Sequence, residues 1–403
     1  LTARVAERAV QAMLHDDKIT PEKQARRPGW RIPMEIALTD EQNAIDESVR
    51  RICADFSDDY WTECDTEGRF PEEYYRAMAD AGFLGITMPE DVGGSGLGVT
   101  EAAVMMHAAT QSNGGYSAAS AIHINLFGPH SIVVHGSDEQ KQRFLPPLIR
   151  GEEKACFGVT EPDAGLDTTS LKTFARKVDG GYRITGRKIW TSTGQVAHKI
   201  LILARTQAKE DSRRPTDGLS LFFTDLDRTK IEVRRIPKMG RNAVDSNAVF
   251  IDDLFVPDED RIGEEGRGFH YILDSLNPER ILVASEAIGV GRPIGQNQAI
   301  QHPLAQCWIQ LESAWWMTMR AAWLYDSGES CGAEANAAKF LGGQAAFDTA
   351  TRAVITHGGM GYAREYQVER LFRESILPRF TPVTEELILS FIAERVLDQP
   401  KSY

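Results

Sequence analysis

The sequence predicts an α+β chain in three parts: a helical domain, a small antiparallel β domain and a helical bundle. Three observations carry this reading. Helix-start signatures crowd the first 150 positions. From Ala155 the hydrophobic period shortens to two, in short runs rich in Val, Ile, Thr and Phe. After Gly268 a helical period returns and is held over long stretches. With 403 residues the chain has enough material for two or three domains with ample core. We place the parts at 36–153, 154–267 and 268–403, after an extension over 1–35 with no assigned role.

The extension differs in character from the three domains. Residues 2–14 read as one short amphipathic helix, and Arg26-Arg27-Pro28-Gly29-Trp30 leads to Pro33. It lacks a long apolar run, so it does not read as a secretory signal, and its acidic residues argue against a transit peptide. Met34 is the expected functional start.

In the first domain, Thr39-Asp40-Glu41-Gln42 is a capping box, opening a helix to about Asp58. Pro71 sits at the first turn of the next helix and Gly82 ends it. Residues 92–98 form a Gly-rich loop, and Thr100-Glu101 caps a helix running to Asn113-Gly114. Ser137-Asp138-Glu139-Gln140 is a second capping box, leading to Arg150-Gly151. Strands are expected near 155–160, 171–178, 182–189, 199–206, 218–224, 230–236 and 247–256, with Gly180-Gly181 marking a hairpin turn. The bundle helices are expected over 303–327, 333–356 and 384–397. A further helix carries Asn277-Pro278-Glu279-Arg280 but meets Pro293 about four turns beyond Pro278. That shortfall against its partners suggests residues absent between Gly291 and Pro293.

Composition excludes several function classes. The chain carries 45 basic and 58 acidic side chains, a formal charge of −13, which is the wrong sign for a nucleic-acid binder. No apolar run reaches the length of a membrane span. The five cysteines are widely spaced and form neither a CxxC nor a Cys/His cluster, so no metal site or disulfide framework is expected and a cytoplasmic location fits. His123, His130 and His135 do not stand at metal-ligand spacings.

Several motifs in series point further. Phe157-Gly-Val-Thr160-Glu161-Pro162-Asp-Ala-Gly165 precedes Gly186-Arg-Lys-Ile-Trp190-Thr191-Ser192. Asn277-Pro-Glu279-Arg280, Gly291-Arg292-Pro293-Ile294 with Gln298, His357-Gly358-Gly359-Met-Gly361-Tyr362 and Glu365-Tyr366-Gln-Val-Glu369-Arg370 come after them. In this order and spacing they resemble the acyl-CoA dehydrogenase flavoproteins over residues 36–403. The resemblance implies an N-terminal helical domain, a central β-barrel and a C-terminal four-helix bundle. It also implies FAD as cofactor, an acyl-CoA substrate, electron-transfer flavoprotein as acceptor, and a homotetramer or homodimer.

The resemblance assigns roles residue by residue. Phe157, Val159 and Thr160 stand in the segment that supplies hydrogen-bond donors to the flavin. Trp190, Thr191 and Ser192 stand in the segment that packs against its other side. Without the motif, Trp190 would read as ordinary strand core. Gly165, Gly358, Gly359, Thr384 and Glu386 complete the expected FAD contacts, although Gly358-Gly359 alone would read as a helix C-cap. Leu166 replaces the Ser that many relatives use on the pyrophosphate. Arg280 and Asn277, and Arg241 in its loop, are the expected CoA contacts.

The base is the sharpest question. Removing an α-proton from a thioester calls for a carboxylate with a raised pKa in a dry pocket. Most of the family carries that Glu in a loop before the last helix, where this chain has Thr381-Pro382-Val383-Thr384. A minority, including isovaleryl-CoA and long-chain enzymes, carries it directly before an Arg on the first bundle helix, as Glu279-Arg280 does here. Loss at one position and gain at the other single out Glu279 as the base, with Glu385 and Glu386 as the fallback. Taken alone, Glu279 would read as a solvated first-turn Glu favoured by the helix dipole. Two other readings share the fold: an acyl-CoA oxidase or flavin monooxygenase, and a non-catalytic acyl-CoA-binding relative, motivated by Pro382.

Overall fold

The computed structural model describes residues 38–164, 167–289, 298–364 and 367–401. The extension over 1–35, Gly165, Leu166 and the stretch around Gly291–Pro293 lie outside these described residues.

Caps decide where the first helices begin and end. α1 spans Asp40–Ala54. α2, Asp58–Glu67, is capped by Ser57, whose hydroxyl accepts from Tyr60 N at 3.3 Å, and is closed by Gly68 at φ 64°. α3 covers Glu72–Asp80 after Pro71. α4, Val99–Thr110, takes its cap from far away: the Asp326 carboxylate accepts from Val99 N at 2.9 Å and Thr100 N at 3.0 Å. Thr100 is therefore not the cap, but Glu101 caps as expected by accepting from Gly98 N at 3.0 Å, and the helix stops at Thr110, short of the expected Asn113. Next come α5 (Gly115–Phe127) and α6 (His130–His135), which the sequence reading missed, as it missed α2 by running the first helix on to Asp58. α7, Asp138–Ile149, opens with the expected Ser137–Gln140 capping box.

The β region holds β1 (Ala155–Gly158), β2 (Phe174–Val178), β3 (Gly181–Ser192), β4 (Lys199–Arg205), β5 (Leu219–Asp225), β6 (Ile231–Arg235), β7 (Ser246–Pro257) and β8 (Arg261–Ile262). The expected strands are all present. Their pairing corrects the expectation of a closed antiparallel barrel. The order is β6-β7-β3-β2-β4-β5-β8, with β1 added to β4, and among the described residues β6 and β8 are unjoined edges. The sheet is also mixed, because β4 pairs in parallel with β1 along its length and with β2 at Phe174–Arg205. A closing edge would have to come from β8, which is only two residues long. Alternation along β4 and β5 buries both faces: Leu201, Leu203, Leu221 and Phe223 pack on α7, and Ile200, Ile202 and Phe222 meet Tyr182 and Val249.

The last third is helical: α8 (Gly268–Gly289), α9 (Gln298–Asp326), α10 (Gly332–His357), α11 (Gln367–Ser375) and α12 (Glu385–Phe391), which runs on into a π turn over Ile392–Val396. This makes twelve α-helices among the described residues. α8 starts ten residues before Pro278, so its 22 residues stand beside the 29 of α9 and 26 of α10 as a long helix. Pro278 lies inside it and has no N–H to give to Asp274 O. Tyr325 Oη lies 3.5 Å from that carbonyl, at the limit of a hydrogen bond. Gly342 lets α10 lie against α8, since a Cβ there would stand 3.2 Å from Ala284 O. The described residues from Asp40 onward pack as one unit.

Candidate active site

The two motif segments of the β region are locked together by a buried ion pair. Lys188 Nζ lies 2.8 Å from Glu161 Oε1 and also donates to Leu203 O at 2.7 Å and Val159 O at 3.2 Å. Glu161 in turn accepts from Lys172 N at 2.6 Å and Thr173 N at 3.0 Å. Burial pushes the Lys188 ammonium down to about 8 against the pull of Glu161. Burial also works to raise Glu161, but Lys188 and the two amides outweigh it and hold the carboxyl below its ordinary range. Thr160 O accepts from Ile189 N at 2.9 Å, so residues 157–161 and 188–192 form one surface.

On that surface β3 carries a bulge. Lys188 pairs with Val249 and Thr191 with Asn247, so Ile189 and Trp190 share the space opposite Ala248. Trp190 takes φ 61° and is 57% exposed, so it is not core. A strained strand residue that presents a flat indole outward fits a planar aromatic ligand. Beside it the Thr191 hydroxyl is buried with no hydrogen-bond partner among the described residues. Phe157 is half-buried, Val159 packs on the core beneath, and Thr160 is exposed, as is Ser192 in part.

α8 brings the next group. Glu279 is half-buried in mid-helix rather than in a solvated first turn. Burial pushes its carboxyl up to about 7; Glu286 adds to the rise, and His123 and Arg280 draw it back. No hydrogen bond or ion pair among the described residues holds Glu279 in the charged form. Arg280 Nη1 donates to Asn277 Oδ1 at 2.9 Å, and its Nε is buried without a partner among the described residues. The loop at Thr381–Thr384 faces the same neighbourhood through Lys339, which donates to Val383 O at 2.6 Å and feels the charge of Arg280. Thr384 caps α12. Glu385 is tied to Arg379 at 2.8 and 2.9 Å, which holds its carboxyl below the ordinary range, the wrong direction for a base. Glu386 is exposed.

Two candidates stand apart. Gly358 ends α10 with φ 59° and ψ −136°, Gly359 continues the turn, and a Cβ on Gly361 would meet Val354 O at 2.4 Å. Arg241, at φ 58°, is held by its own N–H on Glu374 at 3.0 Å, and its buried Nε has no partner among the described residues.

Three family models match this sequence: acyl-CoA dehydrogenase N-terminal domain over residues 39–152, middle domain over 156–254 and C-terminal domain over 289–397. The chain belongs to the acyl-CoA dehydrogenase family. As an acyl-CoA dehydrogenase family member it is an oxidoreductase. Acyl-CoA dehydrogenase FadE12 of Mycobacterium bovis is 31% identical over 396 residues, covering 91% of this chain and 98% of that relative. Benzylmalonyl-CoA dehydrogenase of Aromatoleum aromaticum is 33% identical over 387 residues, covering 90% and 100%. The solved butyryl-CoA dehydrogenase of Megasphaera elsdenii has a TM-score of 0.84 at 26% identity, covering 90% of this chain and all of that one.

The sequence reading overlooked the pair His123–Glu286. The two side chains meet through His123 Nδ1 and a Glu286 oxygen, both buried. The available signal was a charged residue inside the apolar run 281–289, seven positions after Glu279 and hence on the same helix face. Among the described residues no group of three potential metal ligands converges, and no helix is long and apolar enough to cross a membrane. All five cysteines are buried and unbridged.

Proposed function

We propose that this family member dehydrogenates an acyl-CoA thioester to the 2-enoyl-CoA, with FAD as cofactor and Glu279 as base. The observation that carries the reading is Glu279 itself: a carboxyl with no bound cation, lifted by burial to about 7. Such a group is poised to accept a proton at neutral pH. The exposed Trp190, the orphan Thr191 hydroxyl and the adjoining segment 157–160 fit an isoalloxazine, so these residues would hold the flavin. Bound FAD supplies the two-electron acceptor for the hydrogen leaving Cβ.

The chain's own work is to bind, orient and move one proton. Glu279 takes the α-proton as the Cα–Cβ double bond forms. Arg280, steadied by Asn277, offers its unpartnered Nε to the CoA moiety, and Arg241 is a second cation for it. Gly358 and Gly359 would meet the FAD of a neighbouring copy, in a homotetramer or homodimer. Electron-transfer flavoprotein is the acceptor this reading implies, the cytoplasm its compartment, and fatty-acid breakdown its setting.

Anaerobic mixing of the FAD-loaded protein with acyl-CoA thioesters tests it. Bleaching of the flavin without dye or oxygen is expected, with slow reoxidation in air. A colourless protein that cannot take up FAD would overturn the enzyme reading, and rapid reoxidation by oxygen would move it to the oxidases.

A further inference from the structure

One face of α5 is polar where a helix buried in a hydrophobic core should be apolar. Tyr116, Ser120 and His123 recur at helical spacing, i, i+4 and i+7, and so form one stripe. All three are buried, at 1%, 2% and 8% exposure. The Tyr116 and Ser120 hydroxyls have no hydrogen-bond partner among the described residues. Leaving a buried hydroxyl unpaired costs stability, so two on one stripe need an explanation.

The stripe faces α8. Tyr116 packs against Ala287 and also touches Ala346 of α10. His123 joins Glu286 through Nδ1. Glu286 is two turns, about 10 Å, along α8 from Glu279 on the same face. The other side is fixed by rings. The His123 ring lies tilted against Phe127 at 4.7 Å between centroids, and Phe127 meets Phe157 at 5.1 Å, where the proposed flavin-facing segment begins. The stripe therefore lies between α8, which carries Glu279, and the 157–160 segment that β1 opens. The field of Glu286 reaches both Glu279 and Tyr116.

We propose that Tyr116, Ser120 and the His123–Glu286 pair select an acyl group with a neutral oxygen function, a hydroxyl or carbonyl, near its distal end. An unsubstituted alkyl chain would bury these donors unpaired, and a site of that kind discriminates against the ligand that lacks the polar group. A free carboxylate is disfavoured because Glu279 and Glu286 already place two carboxyls along α8, and His123 is engaged by one of them. The inference rests on the dehydrogenase reading of the same site.

The test compares hexanoyl-CoA with its terminal-hydroxyl and terminal-carboxylate counterparts on the FAD-loaded protein. Binding is read by calorimetry with the matching alkyl thioethers of CoA, which have no acidic α-hydrogen. Turnover is read as kcat/KM for flavin reduction with the thioesters. The hydroxylated compound should win in both by about tenfold, the worth of one or two hydrogen bonds. The double substitution H123L/E286L, which leaves no lone buried charge, should erase the preference, and Ser120→Ala should cut it severalfold. Equal or better binding of the plain chain, or a win for the carboxylate, would overturn the proposal. If the thioethers bind in the expected order but no thioester bleaches the flavin, the base assignment fails and the specificity stands. If all thioesters bleach it equally well, the reverse holds.

Discussion

Two carboxyls in this chain, Glu161 buried and Glu279 half-buried, have opposite surroundings. Glu161 has an ammonium at 2.8 Å and two backbone amides, so its charge is fully met. Glu279 has no such partner, and its neighbours include a second carboxyl, Glu286. The first arrangement keeps a charge in place and ties two strands together. The second makes the charge expensive, so the group holds a proton near neutrality and can exchange it. Desolvation raises both carboxyls; the difference lies in what hydrogen-bonds to the charged form.

Substitutions should separate the two by readout. Glu279→Gln should lower substrate-driven flavin reduction by on the order of 1,000-fold, in the range of general-base removal, with folding stability held or slightly raised. An unchanged reduction rate in stopped flow would remove Glu279 from the chemistry. Lys188→Met should act the other way. Leaving Glu161 buried and unpaired should cost about 3–5 kcal/mol in chemical denaturation, with flavin affinity falling alongside. A loss below about 1 kcal/mol would show that the pair is not needed to hold the motif surface.

pH sharpens the contrast. Glu279 sits at about 7 in the fold against an ordinary 4.5, so the folded state binds its proton more tightly than the unfolded chain. Its contribution to stability is full below pH 4.5 and is lost as pH rises through 7. Flavin reduction needs the deprotonated form and should rise over the same window, reaching half its plateau near pH 7. A profile that stays flat across that window in the wild type would contradict this. The smallest effect is expected at the fallback position. Glu385→Gln breaks only the partly exposed pair with Arg379, so it should cost about 0.5–1 kcal/mol and leave reduction within about twofold. A collapse of turnover there would move the base to α12.

Local rules made part of the fold legible in the sequence. The Ser137 capping box and every strand from 155 to 256 were readable, because caps and alternation are written in neighbouring residues. α5 and α6 were not. The described side chains over 114–129 are all buried, so the segment has no solvent-facing polar side to mark it as an amphipathic helix. The Asp326 part of the α4 cap was missed because it comes from more than 200 positions away, whereas Glu101, within the helix's first turn, was readable. Sheet closure was misjudged for a similar reason: strand content is local, whereas the parallel attachment of β1 to β4 is not.

The candidate site divides along the same line. By itself the sequence determined the family motifs, the position of Glu279 and the loss of a carboxyl at Pro382, since these are matters of residue type at a given spacing. Only the tertiary structure decided that Trp190 faces outward on a bulge, that Lys188 is spent on Glu161, and that α5 turns His123 toward Glu286. The physical reason is that a side chain's chemistry depends on solvent and partners. Both are set by segments that meet in space from distant parts of the chain.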